Sequence, residues 1–526
     1  MGNFLSQSFS TVRTFYSGTS TELKMKTQTI KFIFLFVVAA LVSVTSMAQP
    51  ENSENPFLDR QYWASHPSLE EIDTKIAEGH SITESNGAGY DAVTFAIFSE
   101  NPAATIDYLI EKGNDVNKRT HDSRTYIFWA ASRGNLEVVK LLVKKGARTD
   151  LRDSRGNSLT QFTAASGQDN TKIYDFFIEN GADLKNEKDH DGRNVLLAAA
   201  PKVKNLGLID YFISKGLSLN ATDDHGNGIF NIAAQGGNIE VLKALAARGV
   251  STEKNTNTNE NAILFASRGG RGSSNSLEVF QYLAGLGLDA NITSNEGVTP
   301  LHNLSRSADD LALYQYFIDK GVNPNSVDKE GNTPLLNAAA RNKLELIKYL
   351  AEKTENINHT NNEGHSALTL AIQNNNGNVV NYLISEGAQT NILDKKGNNL
   401  AYYLFDTRGN PRDFDEKVKA LRAAGFNFKT KQPDNSTIWH LAIAKNNLEL
   451  LKKVKDFGAD INAKDKQGNT VLHYAAMKSS NAEALKFLIA NGADIKSTTE
   501  FGETAYDLAQ ENELLIQNNV NLDFLK

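Results

Sequence analysis

Apolar residues recur along this chain in short stretches that come in pairs. The first stretch of a pair follows the pattern Gly-x-Thr-x-apolar-x-apolar-Ala, and the second stretch ends at a glycine. In residues 135–142, a second stretch, the apolar residues recur at the spacing of one broad helix face. The pattern predicts two short α-helices in each pair, joined by a polar turn.

The predicted helix pair repeats with a mean period of about 34 residues. Such a pair is too small to bury its apolar faces alone, so neighbouring repeats must stack to form a core. We expect twelve full repeats and a thirteenth partial one. The frame begins at Gly89, Ser123, Gly156, Gly192, Gly226, Asn259, Gly297, Gly331, Gly364, Gly397, Asn435, Gly468 and Gly502.

Capping and turn residues mark the helix ends. Thr299 suits a helix N-cap and Pro300 the first helical position. Ser or Thr holds the same cap position at Thr125, Ser158, Thr333, Ser366, Thr437, Thr470 and Thr504. A glycine that suits the left-handed conformation past a helix end stands at Gly113, Gly146, Gly181, Gly216, Gly249, Gly287, Gly321, Gly387, Gly425, Gly458 and Gly492. Thr354 replaces this glycine in one repeat, so we expect that turn to close differently.

The motifs at residues 333–335, 472–476 and 458–462 (Thr-Pro-Leu, Leu-His-Tyr-Ala-Ala and Gly-Ala-Asp-Ile-Asn) resemble the ankyrin repeat. The resemblance covers about residues 89–526. It implies an all-α, ankyrin-repeat solenoid of helix-turn-helix units with hairpin-like connectors. It also implies a concave face, lined by the connector tips and the first helices, that contacts a partner protein or peptide.

Residues 25–48 have the pattern of a signal peptide: two lysines, an apolar run and small residues before Ala48. The apolar run, residues 32–44, is shorter than the roughly 20 residues of a spanning helix, which makes a membrane anchor the less favoured alternative. We predict cleavage after Ala48 and export of a bacterial protein to the periplasm or beyond.

The other boundaries follow from the same patterns. Residues 1–24 precede a complete signal and are interpreted as a misassigned start, with an organelle transit peptide as the alternative. We expect a short disordered lead-in at 49–56 and an N-terminal cap at 57–88. Twelve repeats then occupy 89–501, and a C-terminal capping repeat occupies 502–526.

The composition removes several classes of function. The 526 residues include no cysteine, which excludes disulfides, Cys-ligated metals and thiol nucleophiles. The net charge of −7 argues against general electrostatic binding of nucleic acid. The sequence has no Gly-x-Ser-x-Gly nucleophile motif, no His-Glu-x-x-His zinc motif, no Gly-x-x-x-x-Gly-Lys phosphate loop and no EF-hand loop. We therefore predict a non-catalytic monomer with no cofactor and no small-molecule substrate, in contact with a membrane only during export.

Three features allow other interpretations. Residues 189–191 and 223–225 combine Asp and His as a metal site does, but the recurrence of the aspartate in other connectors favours turn-forming hydrogen bonds. Insertions at 267–277 and 406–416 leave open an enzyme with an unrecognised site. A structural envelope spacer is the third possibility. We assign three histidines at helix starts to local hydrogen bonding, and they are His302, His440 and His473.

The connector tips change in chemistry along the chain. They are basic near the start, apolar in the middle and lysine-bearing near the end. We expect an extended partner with an apolar centre and acidic ends, and the alternative is a merely solvated edge. The predicted partner-binding residues are Lys118, Arg119, Arg124, Arg148, Arg152, Ile292, Val327, Ile392, Leu393, Lys431 and Lys464.

Overall fold

A computed structural model describes residues 55–270, 273–407 and 412–526. These residues form α-helices, short 3-10 turns and connectors, with isolated antiparallel bridges and no strand among them. The all-α prediction is confirmed. The predicted extension at 1–24, the signal peptide and residues 49–54 of the lead-in lie outside the described residues. No helix in the described ranges has the length and apolar character needed to cross a membrane.

The chain divides into two compact units, an N-terminal unit that ends at His121 and a C-terminal unit that begins at Asp122. The described residues of the N-terminal unit form four α-helices: α1 (Arg60–Ala64), α2 (Leu69–Ala77), α3 (Ala92–Phe98) and α4 (Ala103–Glu111). The first two belong to the predicted cap, and the last two form the first repeat. Short 3-10 turns in the chain occur at Pro56–Leu58, His121–Ser123, Lys455–Phe457 and Asp523–Leu525.

Trp63 anchors the cap of the N-terminal unit. Its ring is fully buried, and its indole N–H donates to the carbonyl of Phe57 at 2.9 Å. Asn55 is 7% exposed, and its amide donates to the carbonyl of Ser81 at 2.6 Å. Asn55 and Pro56 were expected to end a disordered lead-in. They belong to the ordered cap instead, because Asn55 bonds to the segment that follows α2.

The C-terminal unit, in the part of it that the structure describes, has twenty-four α-helices. Odd-numbered helices open a repeat and even-numbered helices close it. They are α5 (Tyr126–Ser132), α6 (Leu136–Lys144), α7 (Leu159–Ala165), α8 (Thr171–Glu179), α9 (Val195–Ala199), α10 (Gly207–Ser214), α11 (Ile229–Ala234), α12 (Ile239–Ala247), α13 (Ala262–Arg268), α14 (Leu277–Gly285), α15 (Pro300–Leu304), α16 (Leu311–Asp319), α17 (Pro334–Ala339), α18 (Leu344–Ala351), α19 (Ala367–Asn374), α20 (Gly377–Ser385), α21 (Leu400–Phe405), α22 (Phe414–Ala423), α23 (Ile438–Ile443), α24 (Leu448–Val454), α25 (Val471–Lys478), α26 (Glu483–Ala490), α27 (Ala505–Glu511) and α28 (Glu513–Gln517).

First helices of neighbouring repeats pack side by side along the C-terminal unit. Most of their residues are buried, which is why the first stretches are apolar on nearly every side. Buried asparagines tie the repeats together as well. The amide of Asn375 donates to the carbonyls of Ala339 and Asn342, both at 3.0 Å. Asn342 and Asn512 bond to the preceding repeat in the same way.

The predicted turn chemistry is confirmed at the ends of the second helices. All eleven glycines named for this position have φ between +73° and +107°, a region in which a side chain is strained. Thr354 does not adopt a positive φ. Its hydroxyl instead donates to the carbonyl of Leu350 at 2.9 Å and so satisfies a helix-terminal acceptor.

The thirteenth repeat is more complete than the sequence predicts. Helix α28 follows α27 and supplies a second helix, whose Leu515 is buried. Leu514 and Ile516, on either side of Leu515, are exposed. The apolar residues of this helix therefore do not lie on one face, and the sequence pattern did not reveal it.

Candidate partner-binding face

Six described connector tips are each built around an aspartate, and the tip of residues 361–365 uses Asn361 in the same way. Oδ1 of Asp328 accepts hydrogen bonds from the backbone N–H groups of Glu330 at 3.0 Å and Asn332 at 2.8 Å. The N–H of Asp328 donates to the carbonyl of Asn332 at 3.0 Å, which closes the turn. The turn-forming interpretation of the recurring aspartate is confirmed, because the same paired acceptance occurs at Asp153, Asp189, Asp223, Asp394 and Asp465.

Backbone hydrogen bonds join successive tips of the C-terminal unit into rows. The N–H of Lys329 donates to Glu296 at 2.8 Å, and the N–H of Asn362 donates to Glu330 at 2.8 Å. This row is interrupted at Pro433, which has no N–H. There the side chains of Gln432 and Asn399 bridge the two tips, with the Gln432 amide donating to Asn399 at 2.8 Å. The tips therefore present their outward side chains in a fixed order.

Three histidines connect the first helices to the tips. Nδ1 of His302 accepts from the N–H of Thr299 at 3.2 Å, so the proton is on Nε2, which donates to the carbonyl of Asn332 at 3.0 Å. Burial lowers the pKa of His302, and the same is true of His440 and His473. All three make this pair of bonds, which confirms their predicted local role.

The predicted site residues of the N-terminal unit are Lys118 and Arg119. Lys118 is partly buried, donates to the carbonyl of Thr83 at 2.8 Å and pairs with Asp91 at 2.9 Å. Arg119 is exposed. Lys118 therefore links its tip to the segment of residues 83–91.

Arg124 was expected to face a partner, and this expectation is wrong. The side chain is only 9% exposed and lies between Asp122 at 3.0 Å and Asp153 at 2.9 Å. Its guanidinium lies 4.2 Å from the centre of the Phe162 ring. Two carboxylates and an aromatic face compensate the buried charge, so Arg124 stabilises the start of the C-terminal unit.

The other two early arginines remain exposed, but both have bonds within the chain. Arg148 pairs with Asp150 at 2.7 Å. Arg152 donates to the carbonyls of Gly156 at 2.6 Å and Lys188 at 2.7 Å, which links two neighbouring tips. A partner that binds either arginine has to share it with these acceptors.

The apolar candidates separate into inward and outward positions. Ile292, two residues before the turn residue, is 5% exposed, so its predicted contact with a partner is also wrong. Val327 and Leu393, directly before the turn residue, are 49% and 54% exposed. Successive side chains of an extended connector point to opposite sides, which explains the difference. Ile392 holds the inward position and is partly buried.

Lys431 and Lys464 both hold the outward position and are exposed. Nζ of Lys464 donates to the carbonyl of Thr498 on the next tip at 2.7 Å. Val327, Leu393, Lys431 and Lys464 thus lie on successive parts of one row of tips. The structure places them along this edge rather than gathering them into one cluster.

A cavity of about 480 Å³ lies where connector tips meet two first helices of the C-terminal unit. This volume is within the range of small-ligand sites. Tip residues Arg193, His225 and Glu260 line it on one side, and Ile232 of α11 and Phe265 of α13 line it on the other. Tips and first helices therefore share one surface here. None of these lining residues was predicted from the sequence to bind the partner, although His225 belongs to a segment considered as a metal site.

The cavity coincides with an enlarged tip. The N–H of Asn255 bonds to the carbonyl of Glu260 at 2.7 Å, five residues away, whereas the regular tips close over four. The carbonyl of His225 accepts from the side-chain amides of Asn255 at 2.9 Å and Asn257 at 3.2 Å. Side-chain amides thus take the place of the usual hydrogen bond between tip backbones.

Two arginines of the cavity have partners within it. Arg268 forms an ion pair with Glu260, and its guanidinium lies 4.3 Å from the centre of the Phe265 ring. Arg193 pairs with Asp191 and, at 3.1 Å, with Asp189. The wall thus combines an aromatic ring with carboxylates, a chemistry that suits cations.

Residues 189–191 and 223–225 contribute to turns and to this cavity. Across 55–270, 273–407 and 412–526, no three His, Asp or Glu side chains are close enough to hold a metal ion. The insertions that followed α13 and α21 in the sequence contain residues 271–272 and 408–411, which lie outside the described residues. In the described part, Ser267 is 1% exposed and donates to the carbonyl of Leu264, so it serves packing.

Parts of several known proteins are similar to parts of this chain. A probable palmitoyltransferase AKR2 of Saccharomyces uvarum is 33% identical over 76 residues, 14% of this chain and 10% of that protein. The E3 ubiquitin-protein ligase hecd-1 of Caenorhabditis elegans is 45% identical over 53 residues, 10% of this chain and 2% of its own length. The human Notch-regulated ankyrin repeat-containing protein is 32% identical over 66 residues, 12% of this chain and 58% of that protein.

The chain spans less than two thirds of each of these relatives, and only a small fraction of the two enzymes. The shared property is therefore the repeat. The model of the family described as ankyrin repeats (3 copies) matches residues 63–153, 264–361, 301–394 and 410–499, which together cover more than half of the sequence. With stacked helix pairs, hydrogen-bonded tips and this match, the chain belongs to the ankyrin repeat family.

Proposed function

We propose that this protein is a non-catalytic scaffold that holds an extended segment of a partner protein on the tips and first helices of its C-terminal unit. Ankyrin repeats generally mediate protein–protein binding and are generally non-enzymatic, which gives the class of function. The observation that carries the proposal is the cavity lined jointly by tips and first helices. A rigid edge with outward apolar and basic side chains provides the contact surface.

The row of tips supports a partner with changing chemistry along its length. Val327 and Leu393 are exposed apolar side chains near the middle of the unit. Lys429, Lys431 and Lys466, on two tips joined by a backbone bond from Lys466 to Asp434, give the later part positive charge. An extended partner with apolar residues followed by acidic residues complements this order.

The proposal includes export before binding. The signal pattern at residues 25–48 supports export, with cleavage after Ala48. In this proposal the mature protein then acts as a monomer in the periplasm or outside the cell. N-terminal sequencing of the protein recovered from its native host tests this step. A mature chain that begins at Gln49 is the expected result, and a chain that retains residues 25–48 contradicts it.

Charge reversal on the later tips tests the binding face. We expect the combined change Lys429→Glu, Lys431→Glu and Lys466→Glu to weaken capture of an acidic partner by about tenfold or more, because each change replaces attraction by repulsion. All three lysines are exposed, so the fold should tolerate the change. Quantitative pull-down from the host extract, followed by affinity measurement on the partner identified, gives the result.

A matched control carries the same charge change on the second helices. Lys172 of α8, Lys243 of α12 and Lys419 of α22 are exposed lysines away from the tips. Their reversal to glutamate should leave capture unchanged. Equal loss in both variants would indicate that only net charge matters, and no loss in either would remove the tip lysines from the binding face.

A further inference from the structure

We propose that the cavity between the tips of residues 191–193, 223–227 and 257–260 receives a positively charged side chain, arginine or lysine, from the bound partner segment. The inference rests on the proposed function and specifies the partner's chemistry at one point. It is independent of the acidic residues expected opposite the later lysines. Three observations carry it: the charge of the cavity wall, its aromatic surface and an unsatisfied hydroxyl.

The wall has more negative than positive groups. It contains two arginines, Arg193 and Arg268, and four carboxylates, which belong to Asp191, Asp223, Glu260 and Glu296. The lining residues thus carry an excess of two negative charges. Two neighbours outside the lining leave this excess unchanged: Asp189 forms an ion pair with Arg193, and Lys329 forms one with Glu296 at 3.0 Å. A cation inside the cavity is therefore favoured over an anion.

Asp223 is the carboxylate least compensated by charge. It is 9% exposed, and it accepts from the backbone N–H groups of His225 and Asn227 and, at 3.0 Å, from the Asn227 amide. These donors are neutral. They satisfy the hydrogen bonding of the carboxylate but leave its negative charge to act on an incoming cation at short range.

The aromatic surface is suited to the same type of group. The guanidinium of Arg268 lies 4.3 Å from the Phe265 ring centre while it pairs with Glu260. This arrangement of ring, cation and carboxylate shows which chemistry the wall stabilises. The side chain of Arg268 is 35% exposed, so the pair stands at the open side of the cavity.

The hydroxyl of Thr258 gives the third indication. Its oxygen is buried and has no hydrogen-bond partner among the described residues, although Thr258 lines the cavity. A buried polar atom without a partner costs stability, and a donor brought in by a ligand recovers that cost. Ammonium and guanidinium groups supply such N–H donors.

Selection from a display library of random linear peptides tests this inference on the full chain. We compare the natural protein with a pocket variant, Asp191→Asn with Glu260→Gln, and with a control variant, Glu330→Gln with Glu363→Gln. The control glutamates are exposed and lie on regular tips. Both variants lose two negative charges. Asp191→Asn alone is also tested, because its side chain is 51% exposed and its removal spares the fold.

We expect the natural protein and the control to enrich peptides with arginine or lysine at one fixed position, and the pocket variants to lose this preference. Replacement of that arginine by uncharged citrulline, or of that lysine by norleucine, should weaken binding about tenfold or more. Enriched peptides without a basic position, or with one that the pocket variants retain, would overturn the inference but leave the proposed function standing. No enrichment by any of the proteins would contradict both.

Discussion

Phe317→Ala is expected to lower the free energy of unfolding by about 3 to 5 kcal/mol. Phe317 lies on α16 and is fully buried. Its ring packs edge to face against Phe280 of α14 in the preceding repeat, with ring centres 5.0 Å apart. The change removes this contact between repeats and leaves a cavity that the helices on either side cannot close, so both repeats lose stability.

Urea unfolding followed by circular dichroism measures this loss. The matched control is Phe501→Ala, since Phe501 is 88% exposed and makes little packing contact. Its replacement should change the stability by less than about 0.5 kcal/mol. If the two variants unfold at the same urea concentration, the stacking of the second helices around Phe317 is not as described. A broadened or divided transition for Phe317→Ala supports coupling between neighbouring repeats.

The sequence predicted the features that depend on local backbone chemistry. A glycine is required at Gly321, because its φ of +92° is strained for any residue with a side chain. Asp328 forms its turn with backbone groups no more than four residues away. Such features need no knowledge of distant parts of the chain. Their recurrence at the same frame position is what made the helix pairs and connectors predictable.

The burial of individual tip residues depends on what lies beside them. Arg124 and Arg152 are both basic residues of early connectors, yet one is buried between two carboxylates and the other is exposed. The interaction of Arg124 with Phe162 joins residues from different repeats. The type of a residue does not reveal such a partner, so the sequence placed all the basic candidates on the surface.

The cavity escaped prediction for a different reason. The tip that begins at Asn255 is one residue longer than the regular tips. The segment before it is one residue shorter: Asn255 comes six residues after Gly249, whereas Asp328 comes seven residues after Gly321. The two differences cancel, so the period of the repeat is unchanged. Spacing between frame positions is therefore uninformative here. The enlarged tip can be recognised in the sequence only from the number of residues between the turn residue and the helix cap.

The other large effect is expected from a single buried charge, that of Lys417 on α22. Lys417 is buried, with only 1% of the residue exposed. Its Nζ donates to the carbonyl of Ile372, near the end of α19, at 2.8 Å. Burial lowers the pKa of Lys417 from 10.5 to about 8, although nearby Asp413 opposes the shift. Lys417 is therefore a cost to the fold at neutral pH, because the protein must bury a charge that water would stabilise.

Lys417→Met should raise the free energy of unfolding at pH 7. The pKa shift sets an upper limit of about 3 kcal/mol on this gain, and loss of the hydrogen bond to Ile372 reduces it by about 1 kcal/mol. The gain depends on pH. Between pH 8 and 10.5 the unfolded chain binds more protons at this lysine than the folded chain, so the natural protein gains stability as the pH rises through this window. The advantage of the methionine variant should be full below pH 8 and should fade toward pH 10.5.

Urea unfolding of both proteins at pH 7, 8.5 and about 10 separates this effect from other titrations, because tyrosines and the remaining lysines are common to both. Lys419→Met is the control, since Lys419 lies on the same helix and is exposed. It should show neither the gain at pH 7 nor its decline. A stability difference between Lys417→Met and the natural protein that stays constant with pH would mean that Lys417 keeps an ordinary pKa. The ammonium group would then have access to water, and the burial of Lys417 between its own helix and the end of α19 would have to be reconsidered.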